Sequence, residues 1–172
     1  MSGTGQGRPE PVQVVKQRRD AALAGLVARV PYIRFLGVSF ERRGDELTAV
    51  MPFEDKLIGN PMLPALHGGA TAGFLEVTAI IGLGWALLWD EIEGVERGGA
   101  QAPVRLPKTI DFTVDYLRSG LPRDAYARAH VTRAGRRYSS VRVAAWQDNR
   151  DRPFAEATGH FLMPARAAGK DG

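Results

Sequence analysis

Residues 60–89 read NPMLPALHGGATAGFLEVTAIIGLGWALLW, and the fold turns on this stretch. A proline-rich loop leads to His67. Gly68 and Gly69 follow, then an apolar run whose only charge before Asp90 is Glu76. The run is long enough for about six helical turns. A helix that is apolar on nearly every side belongs inside a fold. A lone carboxylate within it is costly unless it is paired or used. The glycines let another molecule approach the helix N-terminus, where free N–H groups and the helix dipole favour negative charge. The stretch therefore offers an electrophilic backbone end and a candidate base.

Spacing carries a statement about assembly. Gly68 and Glu76 are eight residues apart, so their backbones lie about 12 Å apart along the helix axis. A Glu side chain does not close that gap to act on a carbonyl held at the Gly68 N–H. If both serve one site, Glu76 comes from the matching helix of a second subunit. Two such helices lying antiparallel about a two-fold axis would make two composite sites, as an isologous dimer requires. A bilayer-spanning reading of residues 68–89 is the competitor, since about 20 apolar residues suffice for a span. Glu76, five glycines and the amphipathic strands that follow argue against it.

The chain has 172 residues, which is enough for one domain with a sizeable core. It contains no cysteine, which excludes a disulfide scaffold, a thiol nucleophile and a Cys-based zinc site. The opening residues, MSGTGQGRPE, have no apolar h-region, so the expected location is cytoplasmic. The net charge of +4 is mild, and no run of five like charges occurs. No nucleic-acid-binding motif is present. Many arginines fall in the C-terminal half: Arg105, Arg118, Arg123, Arg128, Arg133, Arg136, Arg137 and Arg142. Arginine suits phosphate, although a solvated surface explains most of them equally well. His67, His130 and His160 have no metal-ligand spacing, so no metal is expected.

Residues 1–10 read as a disordered tail, 11–163 as a single domain and 164–172 as a C-terminal tail. Pro11 to Val30 is expected to form an amphipathic helix through Val12, Val15, Ala22, Leu23, Leu26, Val27 and Val30, with Pro31 stopping it. Phe35 to Phe40 and Glu46 to Met51 read as strands joined at Arg42-Arg43-Gly44-Asp45. Pro52 to Leu66 reads as a loop. The central helix should end near Trp89, and residues 90–103 then form a connection or flap. Four strands follow: Arg105 to Leu117, Ala125 to Arg133, Tyr138 to Gln147 and Phe154 to Met163. In the first, Ile110, Phe112, Val114 and Tyr116 alternate with Thr109, Asp111, Thr113 and Asp115. Six strands joined largely by hairpins make one antiparallel sheet, and a single apolar helix implies that the sheet curls round it, an α+β arrangement.

Three local patterns meet a known family. The first is Asn60 through His67-Gly68-Gly69. The second is an acid nine positions after the His, here Glu76. The third is Ile110-Asp111-Phe112-Thr113-Val114-Asp115-Tyr116-Leu117-Arg118-Ser119-Gly120. Together they resemble the hotdog-fold acyl-CoA thioesterases, most closely the phenylacetate-pathway (PaaI-like) branch, over roughly residues 30–163. The resemblance implies a hotdog fold, an acyl-CoA substrate, no cofactor beyond the coenzyme A of that substrate, and a homodimer or a dimer of dimers (a homotetramer). It also implies roles. The Gly68 N–H stabilises the developing oxyanion, with His67 and Gly69 beside it. Asn60 holds water or thioester, and Thr109 orients the water. Glu76 is general base or nucleophile. The nearest branch usually carries Asp where Glu76 stands, and often Pro where Ser119 stands, so the longer arm leaves base and nucleophile both open. Arg118, Arg136 and Arg137 are candidate contacts for the coenzyme A phosphates.

Plainer readings stand beside these roles. His67 as a brace for its loop, Glu76 as a structural carboxylate paired with an Arg, Asn60 as a turn residue and Thr109 as an ordinary strand threonine are each self-consistent. At the level of function the alternatives are an acyl-thioester hydratase or dehydratase, and a non-catalytic acyl-CoA-binding sensor. Phe74, Leu75, Ile80 and Ile81 offer apolar lining for an acyl pocket, and Trp85 and Trp89 would suit an aryl group.

Overall fold

The computed structural model describes residues 11–95 and 105–164. The two expected tails lie outside those residues, except Pro164, and so do residues 96–103 of the expected flap and the side chain of Trp89. Helix α1 spans Val12–Ala28. Leu23 and Leu26 are buried, whereas Val12 and Val14 are exposed, so only the C-terminal half of α1 packs on the core.

Pro31 ends that helix and also opens the next. Helix α2, Pro31–Leu36, has its proline at the first turn, where the missing N–H costs nothing and φ is already helical. Gly37, at φ 71°, closes it, with the Val38 N–H returning to the Ile33 carbonyl. The strand expected from Phe35 therefore begins later, as β1, Ser39–Arg43. β2, Glu46–Met51, pairs with it across Gly44-Asp45, where Gly44 takes φ 63°.

The expected loop of residues 52–66 is more ordered than its prolines suggested. It holds a 3-10 turn at Asp55–Leu57 and a small antiparallel pair, β3 (Ile58–Asn60) and β4 (Ala65–Leu66). Gly59 is needed there, because a Cβ would lie 2.9 Å from His67 Cα. Helix α3 runs from Gly68 to Val95, past the expected end at Trp89. The acidic residues after Trp89 are acceptable helix formers, and the first strongly unfavourable residue is Gly94.

The remaining strands are β5 (Lys108–Tyr116), β6 (Ala125–Arg133), β7 (Tyr138–Trp146) and β8 (Ala155–Leu162). The main sheet is antiparallel and six-stranded, in the order β1-β2-β6-β7-β8-β5. Its inner face is unusually small at the centre: Ala49, Ala127, Ala145, Ala155, Ala157 and Gly159 lie on neighbouring strands. Small residues on the sheet let the bulk sit on the helix. Phe74, Leu75, Ile81 and Leu83 are fully buried, and a Cβ on Gly82 would meet the Ala129 Cβ at 2.6 Å. Residues 68–86 are long and apolar enough to span a membrane, but here they are the core on which the sheet closes.

Strand β5 departs from its simple alternation. Thr109 pairs with Phe161, yet the next pair is Asp111 with His160, so Ile110 is an extra residue in a bulge. After the bulge Phe112 faces Gly159 and Val114 faces Ala157 on the inner side. Before it, Thr109 faces the fully buried Phe161, on that same inner side. Thr109 and Phe112 therefore share a face that unbroken alternation assigned to opposite sides, and Ile110 is turned outward, 54% exposed.

Candidate active site

The site is assembled by α3 and by the strand that flanks it. The β3–β4 pair and the bond from the His67 N–H to the Leu57 carbonyl (2.7 Å) deliver the chain to the helix start. His67 then caps the first turn twice. Its Nδ1 accepts the Gly69 N–H at 2.9 Å, and its carbonyl accepts the Thr71 N–H at 3.0 Å. A neutral imidazole that accepts at Nδ1 carries its proton on Nε2. Among the described residues no group accepts the Gly68 N–H, which remains available at the positive end of the helix. Gly69 has a steric reason to lack a side chain, since a Cβ would lie 3.0 Å from His67 Nδ1.

Glu76 lies two turns further along, half-buried. One carboxylate oxygen accepts the Thr109 hydroxyl at 2.8 Å. The bulge at Ile110 makes this contact possible, because it turns Thr109 onto the helix side of β5. Among the described residues no basic group forms an ion pair with Glu76. The reading of Glu76 as one half of a buried Arg pair thus finds no partner. The second carboxylate oxygen is free to accept a proton or to attack.

Asn60 is exposed, and its Oδ1 accepts the Met62 N–H at 3.0 Å, so its side-chain oxygen shapes its own loop. Its amide NH2 is the part left for a ligand. The three candidate arginines are exposed but not together. Arg118 follows the end of β5 nearest Gly68. Arg136 and Arg137 lie in the β6–β7 turn, which the pairing of Tyr138 with Leu162 and of Leu162 with Lys108 places at the opposite end of the sheet. Nine strand residues separate the two ends, about 30 Å. Of the expected pocket lining, Phe74, Leu75 and Ile81 are sealed in the core and only Ile80 is half-exposed. Trp85 lines a cavity of about 760 Å³ together with Phe40, Leu47, Ala49 and Val131.

Tyr116, which the sequence shows only as part of a motif, also reaches the site. Its hydroxyl donates to the Gly68 carbonyl at 2.8 Å, across 48 residues of chain. The available signal was a tyrosine at the end of an amphipathic strand, which says nothing about what lies opposite.

A six-stranded antiparallel sheet closed on one long buried helix, with a glycine pair at its start and a carboxylate two turns in, is the hotdog arrangement of thioester enzymes. Residues 60–162 match the model of the acyl-CoA thioesterase N-terminal domain family, and the chain belongs to the acyl-CoA thioesterases. The medium/long-chain acyl-CoA thioesterase YigI of Escherichia coli is 32% identical over 120 residues, 68% of this chain and 76% of that protein. A Shewanella oneidensis protein related to the thioesterase superfamily superposes with a TM-score of 0.66 at 27% identity, covering 91% of this chain and 100% of its own. A Bacillus halodurans protein solved with CoA has the same fold, with a TM-score of 0.57 at 19% identity over 94% of this chain and 99% of its own.

Proposed function

We propose that the protein hydrolyses acyl-CoA thioesters at a composite site formed by Gly68 of one subunit and Glu76 of another. The observation that carries this is the state of Glu76: a half-buried carboxylate, oriented by Thr109, without a cationic partner among the described residues and beyond reach of its own Gly68. The thioester carbonyl oxygen accepts the Gly68 N–H, which is free at the helix start. Glu76 takes a proton from water as the water oxygen attacks the carbonyl carbon, and Thr109 steadies the carboxylate. The tetrahedral oxyanion collapses, the C–S bond breaks, and the departing thiolate receives the proton held by Glu76. In the nucleophile variant Glu76 attacks the carbonyl carbon and expels the coenzyme A thiolate, and water then opens the mixed anhydride, releasing the acid and restoring the carboxylate. Asn60 holds water or thioester through its amide, while His67 and Gly69 shape the oxyanion-binding turn.

Two features support a second copy beside β5. This strand ends the sheet, pairing only with β8 among the described residues. It also carries Thr109, so Glu76 stands next to the open edge. An isologous pairing there would bring Arg118 of one subunit toward Arg136 and Arg137 of the other, reuniting the candidate phosphate contacts that one chain keeps apart. The acyl group is taken to be medium- or long-chain, as in the name of the E. coli relative. No cofactor enters apart from coenzyme A itself.

The test is complementation. Glu76→Ala removes the base. Gly68→Pro removes the N–H at a helix position that tolerates proline. Each variant alone should lose roughly 10²- to 10³-fold in thiol release from acyl-CoA. Mixed and reassembled, half the dimers are hybrids with one intact site, which restores about a quarter of wild-type activity. A mixture as inactive as its components would place both groups in one subunit. Tight acyl-CoA binding by the wild type without thiol release would favour the sensor.

A further inference from the structure

The peptide group that joins Gly68 to Gly69 is held at both ends. Its carbonyl oxygen accepts the Tyr116 hydroxyl at 2.8 Å, and its N–H donates to His67 Nδ1 at 2.9 Å. The preceding peptide group, between His67 and Gly68, carries the free N–H, and its carbonyl accepts the Thr71 N–H. The Gly68 N–H thus lies in a peptide plane held on one side by the Thr71 N–H and coupled on the other, through two rotations at Gly68, to the plane that Tyr116 and His67 hold. Glycine itself offers little resistance to those rotations. Helix ends also open readily, at a small fraction of the global unfolding cost.

We propose that Tyr116 is the positioning residue for the oxyanion-binding N–H: its hydroxyl clamps the Gly68 carbonyl and keeps the Gly68 N–H aimed at the thioester. The role rests on the thioesterase reading above. Tyr116 lies on the inner side of β5 opposite Ala155, yet it is 55% exposed, so its ring adds little to the core. A phenylalanine would occupy the same space. What tyrosine adds is the hydroxyl, and that hydroxyl holds the peptide group next to the one whose N–H matters to the reaction. Strand β5 then governs both halves of the chemistry, since Thr109 orients Glu76 and Tyr116 orients Gly68. An oxyanion donor is effective to the degree that it is already aimed before charge develops.

The experiment is a double-mutant cycle on the full chain. Tyr116→Phe removes only the oxygen. Against the wild type it should lower kcat for acyl-CoA about tenfold, with KM changed by less than about twofold and the melting temperature unaltered. In the Gly68→Pro background, where the donor is already gone, the same change should cost nothing further. A merely structural tyrosine would lower activity by the same factor in both backgrounds, and that result overturns the proposal. So does an unchanged kcat in Tyr116→Phe, or a loss carried entirely by KM. A wild-type protein without turnover overturns the thioesterase reading itself, an outcome distinct from an active wild type whose phenylalanine variant is equally active.

Discussion

The two edges of the sheet are finished in opposite ways. At one edge β1 is five residues long and guarded by charge: Arg42 inserts against Asp20 of α1 at 2.8 Å, and Arg19 of α1 reaches Asp45 in the hairpin turn at 2.7 Å. A short, ionic strand partly covered by a helix is a poor template for another chain. At the other edge β5 is nine residues long, and Ile110, Tyr116 and Leu117 are each more than half exposed. Both edges belong to one antiparallel sheet, so the difference lies in use. The guarded edge carries none of the candidate chemistry. The open edge carries the hydroxyls that touch Glu76 and Gly68.

The comparison breaks first if the open edge does not pair. Thr113 is exposed in the middle of β5, away from the inner side that holds Thr109 and Tyr116. An isologous pairing brings the middles of the two strands together near the two-fold axis, where like charges oppose each other. Thr113→Lys should therefore shift the protein toward monomer in sedimentation and lower thiol release about 10²-fold at dilute protein, since each composite site then lacks half its groups. Glu41→Lys on the guarded edge should change neither quantity. Equal behaviour of the two variants would mean that the contrast between the edges has no bearing on assembly.

A second, smaller effect tests the bulge. Thr109→Val keeps the shape of the side chain and removes the hydroxyl that holds Glu76. A hydrogen bond to a charged group contributes about 1.5–3 kcal/mol, so kcat should fall about tenfold or more, and Thr109→Ser should recover most of it. Wild-type kinetics in Thr109→Val would show that Glu76 needs no orientation from β5.

These residues also show where reading the chain succeeds and where it stops. The central helix is legible because hydrophobicity, length and the glycine pair are local properties of residues 60–89. Strands β2 and β6 are legible from alternation, and their ends coincide with the observed ones. Pro31 is read only as a stop, although proline ends one helix and starts another equally well. Resemblance picks out Thr109, but alternation sets it on the wrong side of β5, because a bulge is a property of the pairing with β8 and leaves no trace in the alternation itself. The role of Tyr116 is illegible for a related reason, as its partner lies 48 residues away. What the local pattern omits here is register, and register decides which side chains of β5 reach the helix.

The smallest expected effect concerns the end of that strand. Arg118 is exposed, and among the described residues no carboxylate forms an ion pair with it, so its guanidinium is unoccupied by the fold. Its backbone N–H is fixed by the Phe154 carbonyl at 3.1 Å, which anchors the stem beside the Gly68 end of the site. A solvent-exposed contact to one phosphate contributes about 0.2–1 kcal/mol, so Arg118→Ala should raise KM for acyl-CoA by about threefold while leaving kcat in place. The increase should shrink in high salt, because exposed charge pairs are screened over about 10 Å at 0.1 M ionic strength. A KM that does not move at low salt would remove Arg118 from the substrate path and leave the coenzyme phosphates to the β6–β7 turn of the other subunit.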